Sequence, residues 1–254
     1  MKNKSLLLAS LIFGIVLITG CTTTPVVVSQ KEVARKDIEK ISKIEIFYQP
    51  SEYVVMDLGG SSASGVAGIF GVFGTIAGIA IDASSKLTFR ERASARSKEF
   101  TDLLKAEKAP DINALQAEYL AALIKKSGRD VKLTSIAQPT EIASLMDVKK
   151  PTDNNLNDHQ GYARLILRVT SGYTAESATS SYKSLAATEY VLRDHEGKRL
   201  VSENLINKDN GETYMTFDRL KSSSKVAAES LGKNTIAQAD EIFRQTFDLS
   251  STTN

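Results

Sequence analysis

Ala163, Leu165, Leu167 and Val169 alternate with Arg164, Ile166, Arg168 and Thr170. A period of two sends the first four side chains to one face of a strand and the second four to the other. The chain must therefore build a sheet with one wholly apolar face that is covered and one mixed face that is not. Tyr182 to Arg193 and Arg199 to Asn207 extend it, flanking Asp194-His195-Glu196-Gly197-Lys198, whose acidic start and glycine suit a hairpin turn. His195 is thereby a turn residue. Further strands are predicted over Lys43 to Tyr48, where Ile44, Ile46 and Tyr48 alternate with polar neighbours, over Tyr53 to Leu58, and around Val131 and Leu133.

Helical spacing governs three other stretches. Phe89, Ala93, Phe100, Leu103 and Leu104 form an apolar stripe, while Arg90, Arg92, Arg96 and Lys98 fall mostly elsewhere. Asp111 opens a second helix, with Ile112, Leu115, Tyr119 and Leu123, and Gly128 suits its left-handed end. Val226, Ala227, Leu231, Ile236, Ala239, Ile242, Phe243 and Phe247 give a closing helix. Gly232 costs that helix roughly 1 kcal/mol relative to alanine, which predicts a kink or break there. A strand, helices, a strand, a three-stranded meander and a last helix make an α+β fold, a mostly antiparallel sheet with helices packed on one face. With 42% hydrophobic and 24% charged residues, the chain has the means to bury a core.

At the amino terminus, Lys2 and Lys4 precede an apolar run from Leu6 to Ile18 that ends in Thr19-Gly20-Cys21. That order is the order of a secretion signal, and the run is shorter than the about 20 apolar residues of a membrane span. Ile18-Thr19-Gly20-Cys21 resembles the bacterial lipobox. The resemblance implies cleavage after Gly20, a covalent diacylglycerol on the Cys21 sulfur and an acyl group on its new amine. Each buried CH₂ then adds about 0.8 kcal/mol, so several acyl chains hold the protein at the membrane effectively permanently. Thr22 rather than aspartate follows, a pattern similar to outer-membrane sorting in enterobacterial lipoproteins; the expected place is the outer membrane, facing the periplasm. The expected division is a signal peptide over 1–20, a lipidated tether over 21–42 and a periplasmic α+β domain over 43–254. The mixed-charge run from Lys31 to Lys43 reads as a short solvated helix.

Charge and cysteine content narrow the function. The formal +2 comes from Lys2 and Lys4, since removing them takes 32 basic residues to 30 against 30 acidic ones. A neutral mature chain lacks the uncompensated Lys and Arg that displace counterions, so nucleic acid is not an expected partner. Cys21 is the only cysteine, which excludes an internal disulfide and a multi-cysteine zinc site. No cofactor is expected beyond the lipid on Cys21. A hydrolase would rest on scattered Ser, Asp and Glu without a G-x-S-x-G elbow. Asp153 and Asp158 lie among Asn154, Asn155 and Asn157 in the polar run Lys149 to Gln160 and read as loop residues, suited at most to a weak ion.

The segment 58–82 is a glycine-rich apolar insertion. From Leu58 to Ile81 it carries no charge, and Gly65, Gly68, Gly71, Gly74 and Gly78 punctuate valine, isoleucine and phenylalanine. It lacks the Gly-Lys-Ser/Thr of a phosphate loop. As a helix it aligns Ser64, Gly68, Gly71, Thr75, Gly78 and Asp82 on one stripe and Ile69, Phe73, Ile76 and Ala80 on another. Gly74 and Gly78 form a G-x-x-x-G pair of the kind that lets helices approach closely in membranes. At about 1.5 Å per residue the segment is long enough for a hydrocarbon layer of about 30 Å. Two readings stay open: a buried hairpin or helix, and insertion or self-association through Gly68, Gly71, Gly74 and Gly78. Its composition is similar to that of plasmid surface-exclusion lipoproteins.

The run from Arg164-Leu165-Ile166-Leu167-Arg168-Val169 through Val191-Leu192-Arg193-Asp194-His195-Glu196-Gly197-Lys198 to the last helix resembles envelope lipoproteins of the ABC-transport auxiliary type. More distantly it is similar to the curli-secretion lipoprotein. The resemblance implies a non-enzymatic adaptor and carries over no functional residues. The expectation is a binding or scaffolding component of an envelope assembly, with an envelope protein or a second copy as partner. The alternative is an oligomer that inserts its glycine-rich segment into the membrane as a pore or surface element.

Overall fold

The computed structural model describes residues 30–57, 89–137, 139–146, 161–177, 179–208 and 212–248. In chain order the elements are α1 (Gln30–Glu39), β1 (Lys43–Tyr48), β2 (Tyr53–Asp57), α2 (Phe89–Ala106), α3 (Ile112–Lys126), β3 (Asp130–Ser135) and α4 (Pro139–Met146). They continue with β4 (Ala163–Ala175), β5 (Lys183–Arg193), β6 (Arg199–Lys208), α5 (Phe217–Ser222) and α6 (Ser224–Thr246). One mixed sheet runs in the order β3-β1-β4-β5-β6, with β2 paired to β4 as well. Its two longest ladders, β4 with β5 and β5 with β6, are antiparallel, and the fold is α+β. β1 lies parallel to both β3 and β4, and β2 lies parallel to β4.

β1 and β2 are two halves of one broken strand. β1 takes Ala163 to Ile166 of β4, and β2 takes Ser171 to Ala175 of the same strand. The start of α3 holds the break in place. Asp111 caps that helix by accepting from Asn113 N and Ala114 N, and the same Oδ1 accepts from the Ser51 hydroxyl at 2.7 Å. Asn113 Nδ2 donates to Gln49 O at 3.1 Å.

The apolar face of β4 is covered as its alternation requires. Leu165, Leu167 and Val169 join Ile44, Ile46, Tyr190 and Leu192 from the neighbouring strands and Leu120, Ile124 and Ile242 from α3 and α6. Farther along β4, Tyr173 meets Tyr53, Val55, Phe100, Leu104 and Leu231 in a second cluster. Between the two runs a buried polar seam. Gln116 Nε2 donates to Thr188 Oγ1 at 3.1 Å and Thr235 O at 2.9 Å, Thr188 Oγ1 donates to Gln238 Oε1 at 2.7 Å, and Gln238 Nε2 donates to Ala186 O at 2.9 Å. Buried polar groups must pair, so these bonds fix the register of α3 and α6 on the sheet.

The mixed face differs from its expected openness. Ile142 and Met146 of α4 pack there against Phe47, Ile166 and Val191, which buries Ile166 completely. Arg168 and Glu189, cross-strand partners on the same face, form an ion pair. The expected break at Gly232 is absent: α6 runs through it, with Gly232 buried on the helix face that packs against Ile112 of α3. The helix boundary falls instead at Ser223, between α5 and α6.

α2 takes the place of a strand along the free edge of β2. Ser97 Oγ accepts from Val55 N at 2.9 Å and Thr101 Oγ1 accepts from Tyr53 N at 3.0 Å. The same hydroxyls donate to Val55 O and Tyr53 O at 3.4 and 3.3 Å. Residues four apart share a helix face, and Ala93 completes the stripe with a side chain small enough for close approach. The double substitution Ser97→Ala with Thr101→Val should strand those backbone groups at a cost of about 2 kcal/mol or more. Urea unfolding measures it; a midpoint like that of the native chain would show that the hydroxyls do not hold the edge.

Candidate functional site

The start of β1 and the turn between β5 and β6 lie at one end of the sheet, and between them opens a cleft of about 320 Å³. Three segments line it: Asp37 and Lys40 to Lys43 around the α1–β1 corner, Gly161 and Ala163 at the start of β4, and Asp194, His195, Glu196 and Lys198 of the hairpin. The hairpin turn forms because the Asp194 carboxylate accepts from Glu196 N and Lys198 N at 3.0 and 2.8 Å, while Gly197 adopts φ 87°.

α1 is seated rather than loose. Ile38 is 4% exposed within the main core, and Asp37 accepts from Lys198 at 2.8 Å and from Lys40 at 3.3 Å. Those bonds, Lys198 first, hold the Asp37 carboxyl below its ordinary range, and Asp37 in turn raises the Lys198 ammonium. Arg129 Nε donates to Ile41 O at 3.1 Å and Asp130 N donates to Ser42 O at 2.8 Å, which ties the α1–β1 corner to β3. Beside the cleft, the ammonium groups of Lys43 and Lys132 stand 5.6 and 4.6 Å from the Tyr162 ring centroid, and the Tyr162 hydroxyl donates to Asp130. That bond raises the Tyr162 phenol. The pairing register continues the charge across the sheet through Lys132, Glu45, Arg164, Arg193 and Arg199.

Such a recess, open and lined by ammonium and carboxylate groups, offers ion-pair partners to charged groups of either sign. His195 lies in the turn with 63% of its side chain exposed, 3.8 Å from Glu196, as a turn residue should. Cys21, Gly68, Gly71, Gly74 and Gly78 lie outside the described residues, as do Asp153, Asp158 and His159. The structure joins segments that sequence spacing left apart: the short helix, the two strand starts and the Asp194 to Lys198 turn each had a local signal, and their meeting had none.

Among the described residues, no group of three or more His, Cys, Asp or Glu is placed to hold a metal ion. Among the same residues, no helix is long and apolar enough to cross a membrane. No protein-family model matches the chain, and no curated protein matches it. A solved structure described as "Crystal structure of uncharacterized protein" is similar over 80% of this chain and 93% of its own, at 11% identity and a TM-score of 0.25, a likeness too slight to carry an argument about this chain.

Proposed function

We propose that this protein is a lipoprotein of the outer membrane that acts as a non-enzymatic binding or scaffolding component of an envelope assembly. The observation that carries the reading is Cys21 in Ile18-Thr19-Gly20-Cys21, a short stretch of chain ahead of a helix docked on the sheet. Fully extended, residues 21–30 span at most about 32 Å at about 3.5 Å per residue. Lipid on Cys21 therefore holds the α+β fold close to the bilayer, within reach of the other proteins of the envelope.

Cys21→Ser tests the attachment. Labelled fatty acid should enter the native chain and be absent from the variant, which should accumulate at precursor size. A native chain that takes up no label and is recovered soluble at mature size would overturn the reading. Thr22→Asp tests the address: density fractionation should place the native chain with outer-membrane markers and move the variant to the inner membrane.

A further inference from the structure

The mature chain is neutral overall, yet its exposed charges are not spread evenly. Lys40, Lys43, Lys125, Lys126, Lys132 and Lys198 are exposed. They gather at one end of the fold. Lys43 and Lys132 flank the ring of Tyr162, Lys40 and Lys198 both contact Asp37, and Lys125 and Lys126 close the last turn of α3, just before Asp130 pairs with Lys43. Lys36 and Arg199 add exposed cations beside them, while the exposed acids nearby are Glu39, Asp130 and Glu196. Asp37 is already engaged by two lysines.

α1 finishes at the cleft and is about 15 Å long at about 1.5 Å per residue. Together with the stretch ahead of it, that reach lets the fold lie on the bilayer, and the charge asymmetry selects which end does so. A surface of anionic headgroups attracts clustered Lys and Arg within about a Debye length. We propose that the lysine-rich end, built from the cleft, the last turn of α3 and the start of β3, rests on an anionic phospholipid surface. The proposal depends on the lipid at Cys21. It assigns an orientation: the opposite end, with β2, α5 and the start of α6, points away from the bilayer toward partners.

The test uses the mature, acylated protein in vesicles of phosphatidylcholine, with or without one third phosphatidylglycerol. A fluorophore is placed at Ala122→Cys, exposed on α3 near Lys125, or at Met215→Cys, 66% exposed before α5. Quenching by a headgroup acceptor should be at least twofold stronger at position 122 than at 215 in the anionic vesicles. The difference should fall away in neutral vesicles, at high salt and in the triple variant Lys125→Glu, Lys126→Glu and Lys132→Glu. Equal quenching at both positions in every vesicle would overturn the proposal while leaving the lipid anchor intact. Loss of the difference on adding inorganic phosphate at matched ionic strength would also overturn it, in favour of a discrete phosphate site. Flotation with neutral vesicles reads the anchor alone, and failure to float would sink the lipoprotein reading and this orientation together.

Discussion

Gly172→Ala should destabilise the protein by about 3 kcal/mol or more, the upper end of what overpacking costs. Gly172 pairs with Val54 of β2, and an added Cβ would stand 1.9 Å from Val54 O and 2.7 Å from Val54 C and N. The obstacle is backbone, so relief requires β2 to move. Movement of β2 would in turn break its bonds to Ser97 and Thr101 of α2 and loosen Tyr53 and Val55 in the second cluster. Gly232→Ala supplies the opposite sign from the same chemistry. Its new methyl would meet Ile112 Cγ2 at 3.6 Å, an ordinary contact, and alanine favours a helix interior by about 1 kcal/mol. Urea unfolding of both variants beside the native chain gives the comparison. If Gly172→Ala unfolded with the native midpoint, the close approach of β2 to β4 would be wrong.

Cooperative alkaline unfolding is the second large effect. Burial pushes the Tyr53 phenol up to about 12, with the Asp111 carboxylate adding to it and the Ser51 hydroxyl opposing. Tyr173, 0% exposed, is pushed higher still, by burial and then by Tyr214. Burial also raises Tyr182 and Tyr190. In the unfolded chain these phenols release their protons near pH 10, whereas the folded state keeps them. Their contribution is therefore complete below about pH 10 and is lost as the pH climbs toward about 12, at up to about 1.4 kcal/mol per pH unit for each buried tyrosine. Tyrosinate absorbance and far-ultraviolet dichroism should change in one steep step over that window. Independent ionisation of every tyrosine near pH 10, with the dichroism intact, would show that the phenols are not buried as described.

Much of the fold was legible because its signals are local. The alternation at Ala163 to Thr170, the Asp111 cap and the Asp194 turn each report a preference of neighbouring residues, and the structure places strand, helix and hairpin there. What stayed hidden depends on distant partners. α4 spans only Pro139 to Met146, and the surface that buries Ile142 is supplied by Phe47, Ile166 and Val191 on three different strands. Ser97 and Thr101 look like solvent-facing residues until β2 brings its unpaired edge to them. Nothing around Gly172 distinguishes it in sequence, since its constraint is the peptide of Val54. The cleft was invisible for the same reason: residues 37–43, 161–163 and 194–198 meet only because β1, β4 and β5 are neighbours.

Arg96 closes the place where the chain leaves β2 and comes back through α2. Its Nη1 donates to Asp57 Oδ2 at 2.8 Å and to the Tyr182 hydroxyl at 2.7 Å, and the next residue, Ser97, grips β2 together with Thr101. With the exit and return stapled together, the cost of whatever chain joins them rises only with the logarithm of its length, about 0.6 kcal/mol per doubling. The exit and the return are thus positioned by the fold itself, through Asp57, Tyr182 and the α2 hydroxyls. A change in the number of residues between them carries little closure cost of its own, so the integrity of this edge of the sheet hangs on a single guanidinium and two hydroxyls.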